Sequence, residues 1–502
     1  MEVDPARHLH IISAMEENDE GPPMPDRDTP AFFLGDSPRR PGSVSPTTTV
    51  LEYLRSVEHR PGTKEGCAEG DCGACTVVLG EPDGPRMRYR AVNACVLFMA
   101  ALDGKQLLTV EDLAAADGGP HPVQTALAEH HGSQCGFCTP GFAMSLFALD
   151  RSGAAVDRAE AVEALAGNLC RCTGYRPILD AALAARPPDP EDTATAARLR
   201  ALTAGGPLRM KYAEQAWHAP ETLTDLAAAL VADTSAVPVA GGTDAGVWVS
   251  KQHRRLNAIV SMEKVQELRA IERRDGMLRI GAAVPYEDAL GELDALFPDL
   301  GAMVRRIGSR QIRERGTIGA NIANASPIGD VPPALIALDA KLVLRRGAAQ
   351  RTVPIETFFA GYRRTILTTG EFIESVDIPL PKDGRVFRCH KVAKRFDQDI
   401  SAVCAAFSAA FAGGAVRDIR IGFGGMAATP ARAHPVENIL IGQPWTEASV
   451  RAAMTVLDAT FVPISDHRAR AAYRRLVARN LLYKFFLETA ASTPRTRLVP
   501  AP

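Results

Sequence analysis

The ten-residue segment 66–75 constrains the fold more than any other part of this chain. Cys67, Cys72 and Cys75 follow the spacing C-x4-C-x2-C, and Cys95 comes after 19 intervening residues. This is the ligand spacing of a plant-type [2Fe–2S] cluster. The glycines of the segment let the backbone bend and bring its N–H groups close to the sulfur atoms. Those N–H groups would stabilise the negative charge that a cluster gains on reduction.

Zinc is the alternative metal for these cysteines. The spacing favours the iron–sulfur cluster, because a zinc knuckle does not usually combine C-x4-C-x2-C with a lone and distant fourth cysteine. Cysteines placed in a loop by chance are the remaining explanation, and they would not be expected to keep this spacing.

A second group of four cysteines lies further along the chain. Cys135 and Cys138 are separated by two residues, and after 31 intervening residues Cys170 and Cys172 are separated by one. The flanking stretches are predicted to be helical, at residues 122–129, 141–149, 158–165 and 177–185. Two cysteine pairs at the ends of antiparallel helices can surround one centre. Zinc is again the alternative, but a C-x-C pair is too tight for an ordinary zinc ribbon.

The composition limits the class of protein. A chain of 502 residues predicts about three or four domains. The formal net charge is −2, without a basic stripe or an acidic tail, so no nucleic-acid partner is expected. No apolar run is long enough to span a membrane, and the acidic N-terminus is unlike a secretion signal. Ten cysteines are then expected to be metal ligands in a cytoplasmic protein rather than disulfides. Residues 1–29 are predicted to be a disordered extension.

The region around the first cysteine group reads as a β-grasp domain of the ferredoxin type. Its predicted elements are strands at 31–34, 76–79, 91–97 and 106–110, a turn at 38–41 and a helix at 49–57. Cys95 falls within the third of these strands. A linker rich in Pro, Ala and Asp is predicted from residue 187 to about residue 210.

Two glycine-rich stretches follow the linker. A short buried strand at 237–240 leads into the sequence from Gly241 to Gly246, and a second small and polar stretch runs from Gly316 to Asp330. Small residues expose consecutive N–H groups to a pyrophosphate, so the two stretches together predict a dinucleotide site. Neither has the Rossmann fingerprint.

The C-terminal part is less informative. The charged run 391–401 lies between apolar strands, and its composition alone indicates a solvated loop. A strand and turn are predicted at 419–426, and Asp466 is predicted to cap a helix that points Tyr473 and Leu476 inward. Cys389 and Cys404 lie in apolar strands and are interpreted as buried structural thiols.

The eight cysteines resemble the two-cluster module of the molybdenum hydroxylases, particularly the xanthine dehydrogenase group. The sequences around Cys67, at 132–141 and at 167–175 carry this resemblance. It implies a multidomain α+β fold, with β-grasp, helical [2Fe–2S], FAD-binding and C-terminal flavoprotein domains, the FAD-binding domain being of the vanillyl-alcohol-oxidase type. The expected boundaries are 30–103, 104–186, 211–385 and 386–490, with 187–210 as the linker and 491–502 as a tail.

The resemblance also implies the FAD contacts. Ile307 stands where some family members have an aromatic residue against the flavin, and the charged loop that contains Lys394, Arg395, Asp397 and Asp399 is expected to control access of NAD. The residues expected to contact FAD are Val239, Ala240, Gly241, Gly242, Thr243, Asp244, Ala245, Ile307, Thr317, Ala320, Asn321, Ser326, Asp330, Ile373 and Lys391.

The implied activity is electron transfer. The chain would be the small subunit of a xanthine dehydrogenase, which passes electrons from a molybdenum cofactor on a large partner chain through two [2Fe–2S] clusters to FAD and NAD+ during oxidation of hypoxanthine or xanthine to urate. No catalytic residue for substrate is expected on this chain, and two copies of each chain are expected to form a heterotetramer. The alternatives are the corresponding subunit of another molybdenum hydroxylase, acting on aldehydes or N-heterocycles, and a stand-alone electron carrier.

Overall fold

The computed structural model describes residues 27–114, 118–153, 156–184, 193–382, 384–490 and 496. Most of the predicted extension and of the predicted tail lies outside these residues. The prediction of disorder is wrong for the end of the extension. Arg27 forms a salt bridge of 2.6 Å with the buried Asp103, and its backbone pairs with Leu208.

The first domain is a five-stranded sheet packed against one helix, as the β-grasp prediction requires. The strand order is β2-β1-β5-β3-β4. Thr49 and Glu52 form a capping box that starts the helix, and Tyr53 and Leu54 are buried beneath the sheet. The elements are β1 (Phe32–Leu34), β2 (Ser37–Arg39), α1 (Val50–Ser56), β3 (Thr76–Asp83), β4 (Arg86–Asn93) and β5 (Gln106–Leu108).

Two predictions in this domain are wrong. The segment 38–41 was predicted as a turn, but it begins within β2, which forms a hairpin with β1. The turn of this hairpin is at Gly35 and Asp36. β4 ends at Asn93, so Cys95 lies in the following turn and not in a strand. In a strand, the alternation of side chains would fix the direction of the Cys95 side chain. In a turn, this side chain can face the first cysteine loop.

The second domain is helical. Its elements are α2 (Pro122–Glu129), α3 (Thr139–Asp150), α4 (Arg158–Leu165) and α5 (Arg176–Leu183). α3 is buried from Gly141 to Leu149 because it packs against β3 on one side and α2 and α4 on the other. A helix that is apolar all round is expected in such a central position.

The predicted linker is wrong in part. Residues 193–202 form α6 (Thr193–Leu202), which packs on the first domain through Ala196 and Leu199. The guanidinium of Arg198 lies 4.6 Å from the ring centroid of Phe33. The alanine and leucine content of this segment favours a helix, although Pro and Asp residues dominate the stretch before it.

The third domain contains two larger sheets and a two-stranded sheet that pairs residues 359–361 with residues 364–365. The first has the order β6-β7-β9-β8, and the second has the order β10-β11-β16-β12-β13. Helices between the sheets carry the second glycine-rich stretch. The elements are β6 (Leu208–Tyr212), β7 (Gln215–Ala219), α7 (Leu223–Ala232), β8 (Val237–Val239), α8 (Thr243–Ser250), β9 (Ala258–Ser261), β10 (Ile271–Arg274), β11 (Met277–Gly281), α9 (Tyr286–Leu296), α10 (Pro298–Val304), α11 (Arg310–Arg313), α12 (Ile318–Ala323), α13 (Val331–Ala337), β12 (Lys341–Arg346), β13 (Ala349–Pro354), β14 (Phe359–Gly361), β15 (Arg364–Thr365) and β16 (Phe372–Pro379).

The fourth domain is an antiparallel sheet of order β17-β18-β19-β20 covered by three helices. The elements together confirm the multidomain α+β class. Among the described residues, no helix combines the length and the apolar character that crossing a membrane requires. The elements are β17 (Arg385–Val392), β18 (Val403–Ala412), β19 (Ala415–Gly424), β20 (Ala431–Arg432), α14 (His434–Leu440), α15 (Glu447–Thr460) and α16 (Ala471–Thr489).

The prediction that Tyr473 and Leu476 of α16 face inward is wrong. Tyr473 and Leu476 are exposed, whereas Arg474 is 1% exposed. Arg474 is buried because both oxygens of Asp466 accept hydrogen bonds from its guanidinium at 2.8 Å, which neutralises its charge. Asp466 does not cap the helix. It accepts hydrogen bonds from the amides of Arg468 and Ala469 in the turn before it.

Candidate functional site

The first four cysteines converge in one loop region. The thiol of Cys67 contacts those of Cys72 and Cys95, and Cys95 also contacts Cys75. The amides of Glu69 and Asp71 donate hydrogen bonds to the Cys67 sulfur, at 3.4 and 3.3 Å. Hydrogen bonds from the neighbouring thiols lower the pKa of Cys67.

This donor set fits a [2Fe–2S] cluster. The contacts of Cys67 with Cys72 and Cys95, and of Cys95 with Cys75, connect all four thiols, and a [2Fe–2S] cluster takes two protein ligands on each iron. Backbone N–H groups that point at a ligand sulfur are the outer contacts that such a cluster uses.

The second group contains two pairs of contacting thiols. Cys138 contacts Cys170, and Cys135 contacts Cys172. The amide of Thr173 donates to the Cys170 sulfur at 3.4 Å. Cys135 and Cys172 are exposed, so this group lies at the surface of the described structure. The structure therefore brings together each of the two predicted sets of four cysteines.

The loops of the two cysteine groups contact each other directly. The amide of Leu169 donates to the carbonyl oxygen of Cys72 at 3.0 Å, and Leu169 is followed by Cys170. The side chain of Asn168 donates to the carbonyl oxygen of Gly73 at 3.1 Å. Gly73 has a φ of +68°, and a β-carbon there would overlap the carbonyl oxygen of Gly167. Only glycine allows the two backbones to approach this closely.

Gln311 joins three domains at the same junction. Its side-chain nitrogen lies 3.3 Å from the hydroxyl of Thr76, 3.2 Å from that of Ser145 and 3.0 Å from the Asn168 side-chain oxygen. Thr76 follows the first cysteine loop and Asn168 precedes the second. The sequence analysis did not identify Gln311, because a single glutamine in a short helix carries no recognisable pattern.

The two glycine-rich stretches also meet. A β-carbon on Gly241 would overlap the carbonyl oxygen of Arg315. Gly242, with a φ of +78°, precedes α8, and Thr317 caps α12 by accepting from the amide of Ala320 at 3.2 Å. The two predicted halves of the dinucleotide site are therefore adjacent, with the starts of two helices at their junction. Val239, Ala240, Thr243, Asp244 and Ala245 lie on the first half.

This junction lies against the first cysteine group. A β-carbon on Gly246 of α8 would overlap the carbonyl oxygen of Val96, the residue after Cys95. The hydroxyl of Ser250 donates to the carbonyl oxygen of Ala68 at 2.7 Å. The helix that begins at the first glycine-rich stretch thus packs along the first cysteine loop.

Asp330 anchors the second stretch to the C-terminal domain. One of its carboxylate oxygens accepts from the ammonium of Lys391 and the other from the hydroxyl of Ser401, both at 2.5 Å. Lys391 is 7% exposed, although the composition of its segment alone indicated a solvated loop. Its contact with FAD stays a prediction.

The remaining residues predicted to contact FAD are distributed between the core of the second sheet and the second glycine-rich stretch. Ile373 is buried in the core of the second sheet and Ile307 lies at the edge of that core. The hydroxyl of Ser326 accepts from the amide of Ile328 at 3.4 Å. The side-chain oxygen of Asn321 is buried and lacks a hydrogen-bond partner among the described residues.

Tyr286 is a residue that the sequence analysis missed. Its amide donates to the carbonyl oxygen of Gly316 at 2.9 Å, and its neighbour Pro285 pairs with Thr317. The buried hydroxyl of Tyr286 has no hydrogen-bond partner in the described part of the chain. Buried polar atoms of this kind at the junction fit a site that a polar ligand completes. Tyr286 lies 30 residues before Gly316, so only the fold could reveal it.

The charged loop 394–399 bridges three domains. Its Lys394 side chain donates to the carbonyl oxygen of His467 at 2.8 Å, and Gln398 donates to that of Ala166. The guanidinium of Arg306 lies 4.5 Å from the ring centroid of Phe396. Burial raises the pKa of Asp397. These contacts make the loop more than a solvated connection.

Comparison with known families assigns every domain. Residues 39–100 match the 2Fe-2S iron-sulfur cluster binding domain and residues 109–183 the [2Fe-2S] binding domain. Residues 210–381 match the FAD binding domain in molybdopterin dehydrogenase, and residues 388–489 the CO dehydrogenase flavoprotein C-terminal domain.

Individual relatives agree with this assignment. The chain is 31% identical to a xanthine dehydrogenase of Emericella nidulans over 91% of its own length and 38% of that protein, and 30% identical to the nicotinate hydroxylase hnxS of the same organism, over 91% and 40%. It thus spans about two fifths of the curated relatives it matches. A solved carbon monoxide dehydrogenase from Hydrogenophaga pseudoflava superposes with a TM-score of 0.51 at 29% identity, over 53% of this chain and 93% of that chain.

Proposed function

Because the chain belongs to the iron–sulfur and FAD-binding part of the molybdenum hydroxylase family, we propose that it conducts electrons from a molybdenum centre to NAD+ through two [2Fe–2S] clusters and FAD. The observation that carries this proposal is the central position of the first cysteine loop. Its Cys72 carbonyl oxygen accepts from Leu169 beside the second cysteine group, and its Ala68 carbonyl oxygen accepts from Ser250 of α8.

The residues of this chain hold and orient the cofactors. Eight thiolates would ligate the clusters, with amides such as that of Asp71 directed at the Cys67 sulfur. The glycine-rich stretches would present backbone N–H groups to the FAD diphosphate. When bound, the clusters carry single electrons and the flavin converts them into a two-electron transfer. The protein supplies distance, orientation and charge.

We further propose that the reaction served is oxidation of hypoxanthine or xanthine to urate, in the cytoplasm. The xanthine dehydrogenase of Emericella nidulans supports this substrate class. The molybdenum cofactor would be carried by a large partner subunit, in a heterotetramer with two copies of each chain. The exposed Cys135 and Cys172 support such a partner, because a cluster bound there gains protection from water when a second protein covers it.

One observation favours an alternative, which is that the chain serves a molybdenum hydroxylase acting on another N-heterocycle. The nicotinate hydroxylase hnxS matches at 30% identity, close to the value for the xanthine dehydrogenase. Purification of the complete assembly followed by turnover with xanthine and with nicotinate distinguishes the two. Purification without any molybdenum-containing partner would instead support the stand-alone carrier.

Anaerobic reduction of the full chain with NADH tests the proposal. We expect the flavin absorbance to bleach and two distinct [2Fe–2S] signals to appear in electron paramagnetic resonance. Dithionite, which reduces clusters directly, is the control for cluster content. Two signals with dithionite but an unreactive flavin with NADH would contradict the NAD+ step, and a single signal with dithionite would contradict the two-cluster assignment.

A further inference from the structure

The hydroxyl of Tyr286 is a buried donor at the junction of the two glycine-rich stretches. The Tyr286 side chain is 3% exposed. Its ring lies beside Gly316, since a β-carbon on Gly316 would be 3.5 Å from the ring of Tyr286 and 3.5 Å from the hydroxyl of Thr243. One side chain therefore contacts the second stretch at the point where the first stretch approaches it.

The described part of the chain does not supply a partner for this hydroxyl. No described residue lies within hydrogen-bonding distance of it. The two carboxylates whose charges act on Tyr286 are those of Asp244 and Asp330. Both are engaged elsewhere, because Asn324 donates to Asp244 at 3.2 Å and Asp330 accepts from Lys391 and Ser401. A buried hydroxyl without a partner costs free energy, and such groups call for an explanation.

The surroundings also determine the charge state of Tyr286. Burial, together with the negative charges of Asp244 and Asp330, raises the pKa of its hydroxyl well above the usual value. The hydroxyl therefore stays protonated near neutral pH and is available as a hydrogen-bond donor. A phosphate or ribose oxygen is a suitable acceptor.

We propose that Tyr286 is an FAD-binding residue, whose hydroxyl donates a hydrogen bond to an oxygen of the dinucleotide where it passes between the segments 239–245 and 316–330. This inference rests on the FAD binding proposed above. It adds a contact that comes from the start of α9 and from neither glycine-rich stretch. FAD would supply the acceptor that is missing among the described residues.

The test compares Tyr286→Phe with Tyr53→Phe in the full chain. Tyr53 is the matched control, because it is also buried but its hydroxyl already donates to Glu58 at 2.5 Å. The measured quantities are the dissociation constant for FAD, from titration of flavin-free protein, and the melting temperature of the flavin-free protein. Flavin fluorescence reports binding without any need for turnover.

We expect Tyr286→Phe to weaken FAD binding by roughly 3- to 10-fold, the effect of losing one hydrogen bond. Its flavin-free melting temperature should be equal to or higher than that of the wild type, since a buried hydroxyl without a partner is removed. Tyr53→Phe should show the reverse pattern, with a lower melting temperature and unchanged FAD affinity.

Two results would overturn the inference. One is wild-type FAD affinity in Tyr286→Phe, and the other is a loss of flavin-free stability as large as that of Tyr53→Phe, which would mean that the hydroxyl serves the protein itself. A wild-type chain that binds no FAD would overturn the proposed function instead, so the two failures are distinguishable.

Discussion

The amide of Leu169 donates a hydrogen bond to the carbonyl oxygen of Cys72 at 3.0 Å. Leu169 belongs to the helical domain and Cys72 to the β-grasp domain, and the next residue after Leu169 is a predicted cluster ligand. The backbone contact therefore sets the relative position of the two cysteine groups. The contact joins two backbones and involves no flexible side chain. It therefore suits electron transfer, which requires a constant distance between the two centres.

Replacement of Cys172 by Ala should remove one cluster and leave the other. Cys172 contacts Cys135 in the second group and no member of the first. We expect iron to fall from about four to about two atoms per chain, and one of two electron paramagnetic resonance signals to vanish. Cys389→Ala is the control, because that buried thiol lies outside both groups and bonds the carbonyl oxygen of Asp299. Persistence of both signals in Cys172→Ala would refute the ligand assignment.

Replacement of Gln311 by Met should loosen the three-domain junction. Met has a similar length but cannot donate to Thr76, Ser145 or Asn168. We expect a loss of about 1–3 kcal/mol in the free energy of unfolding, measured by denaturant titration. The exposed Gln252 gives the control variant Gln252→Met, expected to change stability by less than about 0.5 kcal/mol. Equal effects of the two variants would show that the junction does not depend on Gln311.

The pair formed by Lys391 and Asp330 provides a test of coupling. The two side chains are 2% and 7% exposed and lie 2.5 Å apart. Lys391→Met should destabilise flavin-free protein by about 3–5 kcal/mol, because it leaves a buried carboxylate without its counter-charge. The double variant Lys391→Met with Asp330→Asn should lose much less than the sum of the two single variants. Additive losses in denaturant titrations would mean that the two groups are not coupled.

Gly241 and Gly291 form a matched pair of glycines. Gly241→Ala places a methyl group into the carbonyl oxygen of Arg315, so the two glycine-rich stretches must separate. We expect a loss of about 1–3 kcal/mol in stability together with weaker FAD binding. Gly291 lies in α9 with open space around it, so Gly291→Ala should stabilise the chain by about 0.5–1 kcal/mol. Normal FAD affinity in Gly241→Ala would argue against the adjacency of the two stretches.

The pair of Asp466 and Arg474 predicts an acid-dependent loss of stability. Burial opposes ionisation of Asp466, but hydrogen bonds from Ala469, Arg474 and Arg468 outweigh it and lower the pKa to about 2. The folded-state pKa is thus below the unfolded value of about 3.9. The stabilisation is present above about pH 4 and is lost as the pH falls towards 2. The difference in stability between wild type and Asp466→Asn should shrink over this interval, whereas a constant difference would exclude the ionised form as its cause.

Local spacing explains why eight cysteines could be predicted as cluster ligands without a structure. A C-x4-C-x2-C loop and a C-x-C pair are short-range patterns, and the geometry of an iron–sulfur cluster imposes them directly on the chain. The same is true of the helices of the second domain. α2 and α4 lie where they were predicted, and each begins at a local side-chain cap, His121 and Asp157.

The pattern of apolar residues does not predict two of the charges that are buried in this structure. Tyr473 and Leu476 were predicted to face inward because they are apolar, but the buried position is taken by Arg474, whose charge is neutralised by Asp466 in the preceding turn. Lys391 is similar, since Asp330 makes its burial possible from 61 residues away. A pattern of apolar residues does not predict that a charged side chain is buried when an oppositely charged residue neutralises it.

The sequence by itself determined the spacing of the eight predicted cluster ligands, the two glycine-rich stretches and the class of each domain, because these depend on residues close together in the chain. Only the tertiary structure decided how those parts meet. It placed Leu169 against Cys72, Gly241 against Arg315 and the hydroxyl of Tyr286 at the junction of the two stretches. These contacts join residues far apart in the chain, and the close packing of folded domains creates them.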